Sequence, residues 1–278
     1  MTDILIPLGT GSRHDNLELR YCLRSIEKHL KGVGNIFIVG EKPEWIKNVI
    51  HIPFKDNPNN WNRARNIYDK ILAGINYIEP TGSEVINAMV QQIKNSNFIP
   101  IGIPLFFNVN DKMQNELSDN FLFMNDDHYL MQDYEASEFP YYHRHEFDLD
   151  DILKRGNNPQ YKQSLNTVNT IGFTGYDFDV HAPMLFNKRI FKNLFSRLPE
   201  KWPEHGFLIK SYYANHGIDT SNWVPCEDLK FSEPLMKESI YMALESRSWF
   251  SIGDKCLKSG AMKEVLQELY CNKSKYEI

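Results

Sequence analysis

The hydrophobic positions of this chain fall into two patterns. Short continuous apolar runs occur at Asp3–Leu8, Ile36–Val39, Val49–Ile52 and Phe121–Met124. Runs of that length, closed by Gly or turn residues, predict buried strands. Other stretches repeat at helical spacing. Leu19, Cys22, Leu23, Ile26 and Leu30 share one face, and Asp15 stands three residues before Glu18 in a capping-box spacing. Gly32 and Gly34 close that helix. A second helix runs from near Asn62 with Ala64, Ile67, Tyr68, Ile71, Leu72 and Ile75 on one face. A third uses Phe186, Ile190, Phe191, Leu194, Phe195 and Leu198, and Pro199 stops it. A fourth runs from about Gly206 to Asn215–Gly217, with Gly217 suited to a left-handed C′ position. The last uses Met262, Val265, Leu266 and Leu269.

Strand, helix and strand within the first forty or so residues make a βαβ unit, which predicts a parallel sheet. Residues 78–118 are irregular and are read as an insertion or flap, in which Ser83 can cap a short helix through Ile93. Residues 132–170 read as loop-rich. No repeat or linker interrupts the chain, so the expectation is a single α/β domain over residues 1–278.

Composition narrows the class. Of 278 residues, 42% are hydrophobic and 13% aromatic, which excludes a disordered chain. No window approaches the ~18 apolar residues of a membrane span. The first apolar run is too short for a signal peptide and lacks a basic flank, so a cytoplasmic protein is expected. Cys22, Cys226, Cys256 and Cys271 show neither CxxC nor metal spacing and are read as reduced thiols. The net charge is −5. Residues 188–278 carry a balance of +2 and the remainder −7, so composition disfavours a basic nucleic-acid module. A local basic groove stays open.

Four local signals carry candidate chemistry. Asn125-Asp126-Asp127-His128 follows an apolar strand, and open parallel sheets bind ligands beyond the carboxyl ends of their strands. Adjacent acids repel unless a cation or donors offset them, and hard oxygen ligands suit Mg²⁺ or Mn²⁺ shared with a diphosphate. A solvated acidic turn is the plain alternative. Asp177-Phe178-Asp179-Val180-His181 alternates, which predicts a strand with Asp177, Asp179 and His181 on one face; it offers a metal ligand, a general base or an acceptor contact, or merely a wet edge strand. Gly9-Thr10-Gly11-Ser12 can present backbone amides to an anion, yet lacks both GxGxxG and the P-loop Lys, which disfavours a dehydrogenase or a Walker-type NTPase. Arg63-Ala64-Arg65-Asn66 opens the second helix, where Arg can bind phosphate.

Other constellations fail. GxSxG and HExxH are absent. His143-Arg144-His145 lacks zinc partners at known spacing. Glu227-Asp228 and Asp254 are loop carboxylates, each able to act as a base and each as readily structural.

Glu18-Leu19-Arg20-Tyr21-Cys22-Leu23-Arg24-Ser25-Ile26-Glu27-Lys28, with Asn35-Ile36-Phe37-Ile38-Val39, resembles a block of the Stealth-type sugar-phosphate transferases. Asn125-Asp126-Asp127 and His181-Ala182-Pro183 resemble two further blocks of that family. The chain is more similar still to a group of short, often phage-encoded glycosyltransferases. These share the Gly-rich start, the Phe121–His128 segment, the His-x-Pro segment, Ser251-Ile252-Gly253-Asp254 and the 272–277 tail. Pro7–Gly11 departs from the upstream Stealth block.

The resemblance implies a GT-A-like nucleotide-diphosphosugar transferase fold with a mostly parallel central sheet flanked by helices. It implies a nucleotide-sugar donor, such as a UDP-sugar, and Mn²⁺ or Mg²⁺. Asp127 and Asp126 would hold the metal, with Asp127 the principal ligand; Asn125 and Asp126 would hold the diphosphate; Gly9, Thr10, Gly11 and Arg65 would bind the nucleotide or its phosphates. Asp179, His181 or Asp254 would face the acceptor, one of them as base. The acceptor would be a glycan or a hydroxymethylated base in phage DNA. Sugar-phosphate transfer and a non-catalytic nucleotide-sugar binding module are the alternatives.

Overall fold

The computed structural model describes residues 1–10, 14–57, 63–77, 116–155, 158–172 and 174–278. Gly11, Ser12, the expected Ser83–Ile93 helix and all but the last three residues of the 78–118 segment lie outside them.

The first apolar runs form the strands expected of them. β1 (Thr2–Leu8) pairs in parallel with β3 (Val33–Gly40) on one side and with β5 (Asn120–Phe123) on the other. β2 (Leu30–Lys31) pairs in parallel with Tyr134–Glu135 in a separate two-stranded sheet. β4 (Ile50–Pro53) extends the sheet in parallel beyond β3. The strand order is β4-β3-β1-β5, followed by an antiparallel strand, Met184–Asn187. Every residue of β1 is buried, because the sheet is covered on both faces. Ile4, Ile6, Ile36, Ile38 and Leu122 enter one core; Leu5, Phe37, Val39, Phe121 and Phe123 enter the other. Continuous apolar runs, rather than alternating ones, are the sequence signature of that arrangement. Full burial of each such side chain contributes about 1.5–3 kcal/mol.

Helix α1 (Leu17–His29) packs on the first face and α2 (Arg63–Ile75) on the second. After β5 the chain turns at Asn125–Asp127 and enters β6 (His128–Leu130), which belongs to a second, three-stranded sheet. The acidic motif is therefore the corner between two sheets. The other members of that sheet are Lys230–Phe231 and Trp249–Ile252. Tyr129 and Phe250 stack across it at 4.9 Å and anchor it on the first core.

Several expectations are corrected. Asp15 does not cap α1: Asn16 precedes the helix in a left-handed conformation (φ 49°) without a side-chain cap, and Asp15 instead lies 3.6 Å from Arg20. Residues 132–170 are not mainly loop. They hold two short strands, β7 (Tyr134–Glu135) and β8 (Tyr141–His143), and two helices, α3 (Leu149–Lys154) and α4 (Pro159–Ile171). Asp148 and Asn158 cap those helices, and Gly172 (φ 95°) ends the second. Both helices fully bury few side chains, so caps rather than apolar periodicity mark them.

Phe186 lies in strand β9 (Met184–Asn187), because it pairs with Phe121; helix α5 (Lys188–Phe195) starts two residues later, capped by Asn187. Gly217 ends helix α6 (Ile209–Gly217), but not in a left-handed conformation. A Cβ there would lie 2.7 Å from Ile190 Cγ2, so the glycine permits close helix packing. The 177–181 segment forms no strand; it runs as irregular chain pinned by side chains. Only its start pairs with a neighbour: the Asp177 carbonyl accepts from the Arg144 N–H and the Asp177 N–H donates to the His145 carbonyl, each at 2.9 Å, beside an isolated Glu146–Tyr176 bridge, and no ladder continues to His181. Later elements without a clear period are β10 (Trp223–Pro225), β11 (Lys230–Phe231), α7 (Lys237–Leu244) and β12 (Trp249–Ile252), followed by the expected final helix α8 (Gly260–Leu269).

No described helix is long and apolar enough to cross a membrane. All four cysteines are free.

Gly40 ends β3 beside the last residue of β1. Its φ is +134°, and a Cβ there would meet the Leu8 carbonyl oxygen at 2.0 Å. Gly40→Ala is therefore expected to cost about 2–3 kcal/mol. Urea unfolding would read this as a lowered midpoint at unchanged slope; a wild-type midpoint would show that the strands separate there without loss.

Candidate active site

The carboxyl ends of β1, β5 and β12 open into one polar cleft of about 790 Å³. Gly9 and Thr10 leave β1 at its floor, and Glu18 enters from the start of α1. Asn125, Asp126 and Asp127 come from the corner after β5, and Gly253 and Asp254 from the loop after β12. A narrower lobe of about 220 Å³ continues from it, lined by Gln163, Asp179, His181, Phe207 and Lys210. Arg63, Ile67, Asn125, Asp127 and Lys230 border both lobes. A hollow of about 930 Å³ lies at the opposite end, beside Thr2 and Asn120, where β1 and β5 begin. It is larger, but parallel sheets place ligands at the other end.

Asp127 is the best-held acid. Its Oδ2 accepts from Ser251 Oγ at 3.0 Å and from Lys230 Nζ at 3.4 Å. Burial works against its charge, but His128, Lys230, His181 and the Ser251 hydroxyl outweigh burial and hold the carboxyl below its ordinary value. Burial takes the His128 imidazole down to about 3, so its charge does not add to that hold at neutral pH. The Asn125 N–H points at His128 Nδ1 at 3.4 Å, which leaves the ring proton on Nε2, 3.9 Å from Asp127 Oδ1. Asp126 is different. Burial, then the charges of Asp127 and Glu18, push its carboxyl up to about 7. Burial also raises Glu18, and Asp254 and Asp127 add to the effect. The cleft thus carries more negative charge than its own cations offset.

The structure brings together Gly9, Thr10, Asn125, Asp126, Asp127 and Asp254 in the large lobe, and Asp179 with His181 in the small one. Asp254 is thereby separated from Asp179 and His181, with which the sequence grouped it. Arg65 does not face the cleft. Its Nε donates to Asp69 at 3.0 Å and its Nη1 to the Glu200 carbonyl at 3.1 Å, and its guanidinium lies over Tyr68 and Trp202. Arg63, two residues earlier, is exposed and borders both lobes. A two-residue step on a helix turns a side chain by about 200°, so the pattern located the turn but not the face.

Sequence reasoning gave no site role to Glu18, which it read as a cap partner and as the start of the Glu18–Lys28 block, nor to Lys70, Lys230 and Ser251. Lys70 is buried, donates to the Leu8 carbonyl at 2.8 Å and pairs with Asp56 at 2.8 Å, which fixes the end of β1. It is a buried residue of the second helix that the apolar stripe did not include. Ser251 was visible only as part of Ser-Ile-Gly-Asp. Lys230 carried no local signal.

No known family profile and no curated protein matches this chain. Among solved structures, a galactosyltransferase, LgtC, crystallised in complex with donor and acceptor sugar analogs, aligns over 97% of this chain and 95% of its own. The identity is 12% and the TM-score 0.37. The fold class rests on the sheet itself: mixed α/β, with a mostly parallel centre and helices on both faces.

Proposed function

We propose that this chain is a glycosyltransferase that moves a sugar from a nucleotide-sugar donor, with a UDP-sugar as the test case, to an acceptor hydroxyl. One observation carries the reading: two unequal lobes meet at Asn125–Asp127, beyond the carboxyl ends of a mostly parallel sheet. The large lobe has the volume and the Gly9–Thr10 backbone for a nucleotide diphosphate; the small lobe has room for about one sugar-sized ring and holds Asp179 and His181. A sheet ending in an antiparallel strand, with the acids beside its centre, also supports the GT-A-like architecture.

The donor set can be tested against a divalent cation. Among the described residues, no three His, Cys, Asp or Glu side chains come together as a closed metal cage. Mg²⁺ and Mn²⁺ shared with a diphosphate need only one or two protein carboxylates. The raised Asp126 carboxyl and the unneutralised acids beside it fit that case. Asp127 and Asp126 would hold the cation. When bound, it would supply positive charge to the departing diphosphate.

The chain's own groups account for the rest. Arg63 sits where it can bind phosphate oxygens between the lobes, and Lys230 holds Asp127 in place. Asp179 and His181 face the acceptor, whose hydroxyl loses a proton during transfer. A glycan terminus enters such a lobe directly. A hydroxymethylated base would have to be flipped out of its stack.

Calorimetry tests the reading. UDP is expected to bind more tightly with Mn²⁺ than with EDTA, and Arg63→Ala to weaken it by about 10–100-fold through loss of a charge-assisted contact. Arg65→Ala is expected to leave it within about twofold, because that side chain faces Trp202. Metal-independent binding would remove the cation from the proposal. Absence of UDP-sugar turnover together with tight UDP binding would leave a binding module, and a phosphodiester product by mass spectrometry would convert the reading to sugar-phosphate transfer.

A further inference from the structure

His181 reaches the small lobe from a segment without regular secondary structure, yet groups from three other parts of the fold hold it. Asp228 Oδ1 accepts the His181 backbone N–H at 2.9 Å, and Asp228 Oδ2 accepts from imidazole Nδ1 at 2.6 Å. Arg144 Nη2 donates to the same Oδ2 at 2.6 Å, and its Nη1 to Asp177 Oδ2 at 2.9 Å. Asp177 Oδ1 accepts the Asp179 N–H at 2.8 Å. From the opposite side, buried Lys210 donates to the carbonyls of Val180 and Ala182. The carbonyls of the residues before and after His181 are thus held by one lysine, and the ring by one carboxylate.

An ionised carboxylate only accepts hydrogen bonds. The Asp228 contact therefore requires the proton on Nδ1, which leaves Nε2 as the basic nitrogen of the neutral ring. We infer that Asp228 is a positioning residue that fixes His181 in the Nδ1–H tautomer and presents Nε2 to the small lobe as the proton acceptor. What Nε2 receives rests on the glycosyltransferase reading. The acceptor oxygen bonds to the sugar carbon, the bond from that carbon to the diphosphate breaks with its electron pair left on the diphosphate, and the hydroxyl proton passes to Nε2. The resulting imidazolium lies against Asp228. Burial would raise Asp228, but the His181 hydrogen bond and charge and the Arg144 hydrogen bond outweigh it and hold the carboxyl well below the usual range. Asp228 therefore stays ionised and does not take the proton itself.

Asparagine cannot replace it. Three donors converge on the two Asp228 oxygens. An amide NH₂ in either position sets donor against donor, at the His181 backbone or at Arg144.

The test has two arms on the full chain. Long-range ¹H–¹⁵N spectra, with His181 assigned through His181→Gln and recorded where the ring is neutral, are expected to show Nδ1 protonated and Nε2 bare. Asp228→Ala is expected to lose that preference. If that variant does not fold, Asp228→Asn replaces it, and the strongly downfield Nδ1 proton should disappear. An Nε2–H ring in wild type, or a spectrum unchanged by substitution, overturns the inference. In turnover assays, kcat of the variant is expected to fall by about 10²–10⁴-fold with donor KM within about threefold. A KM-only effect overturns the positioning role. The spectra need no substrate, so wild-type chain with the expected tautomer and no transfer would fell the functional reading and leave the Asp228 tautomer lock standing.

Discussion

Asp127→Ala is expected to lower sugar transfer by about 10²–10³-fold, the range for removing one preorganised electrostatic group from a site. The side chain sits where both lobes meet, and its Oδ2 is oriented by Ser251 and Lys230 from the second sheet. Loss of the Ser251 bond itself costs only about 1 kcal/mol, so the variant should remain folded by circular dichroism. Asp127→Asn separates charge from shape. It keeps an acceptor for Ser251 but cannot bind a cation as a carboxylate does, so its turnover should fall nearly as far and its UDP affinity should lose its dependence on Mn²⁺. Full turnover in both variants would dismiss Asp127 from the chemistry and leave it as the strut between two sheets.

The second large effect is on stability. Glu277 is fully buried, and Arg24 grips it with two bonds of 2.8 Å, Nε to Oε1 and Nη2 to Oε2. Arg24 also donates to the Tyr270 carbonyl at 3.1 Å, and the Ser274 N–H and hydroxyl donate to Glu277 Oε1. This cluster fastens the 272–278 tail to α1, the helix whose first turn brings Glu18 to the cleft. Breaking a buried pair by removing one partner costs about 3–5 kcal/mol, because the other charge is left unpaired. Glu277→Ala should therefore lower Tm by roughly 10 °C. Lys237→Ala, which removes the surface partner of Glu268, should leave Tm close to wild type, because solvent screens such a pair. Equal shifts in the two variants would mean that the buried pair is stabilised no more than a surface one.

The two cores were legible to different degrees. Ile36–Val39 and Phe121–Met124 announce strands covered on both faces, because a sheet between two helical layers needs apolar side chains in both directions. The α1 and α2 stripes are as clear. Helices α3 and α4 bury few side chains, so the period that betrays a packed helix was never written into them. Phe186 shows the converse error: its spacing fits the helix that follows, but pairing with Phe121 claims it for the sheet.

The site divides along the same line. By itself the sequence determined that Asn125-Asp126-Asp127 follows a buried strand, that a Gly-rich turn follows another, and that acids and a histidine alternate at 177–181. Local spacing decides such things, because each depends on a few consecutive residues. Only the tertiary structure decided which groups meet. Ser251 reaches Asp127 across 124 residues, Lys230 across 103, and Asp228 takes His181 across 47. It also turned Arg63 toward the cleft and Arg65 away, and parted Asp254 from Asp179. Sheet register and loop packing set those pairings, and no one-dimensional period encodes a contact between segments that far apart.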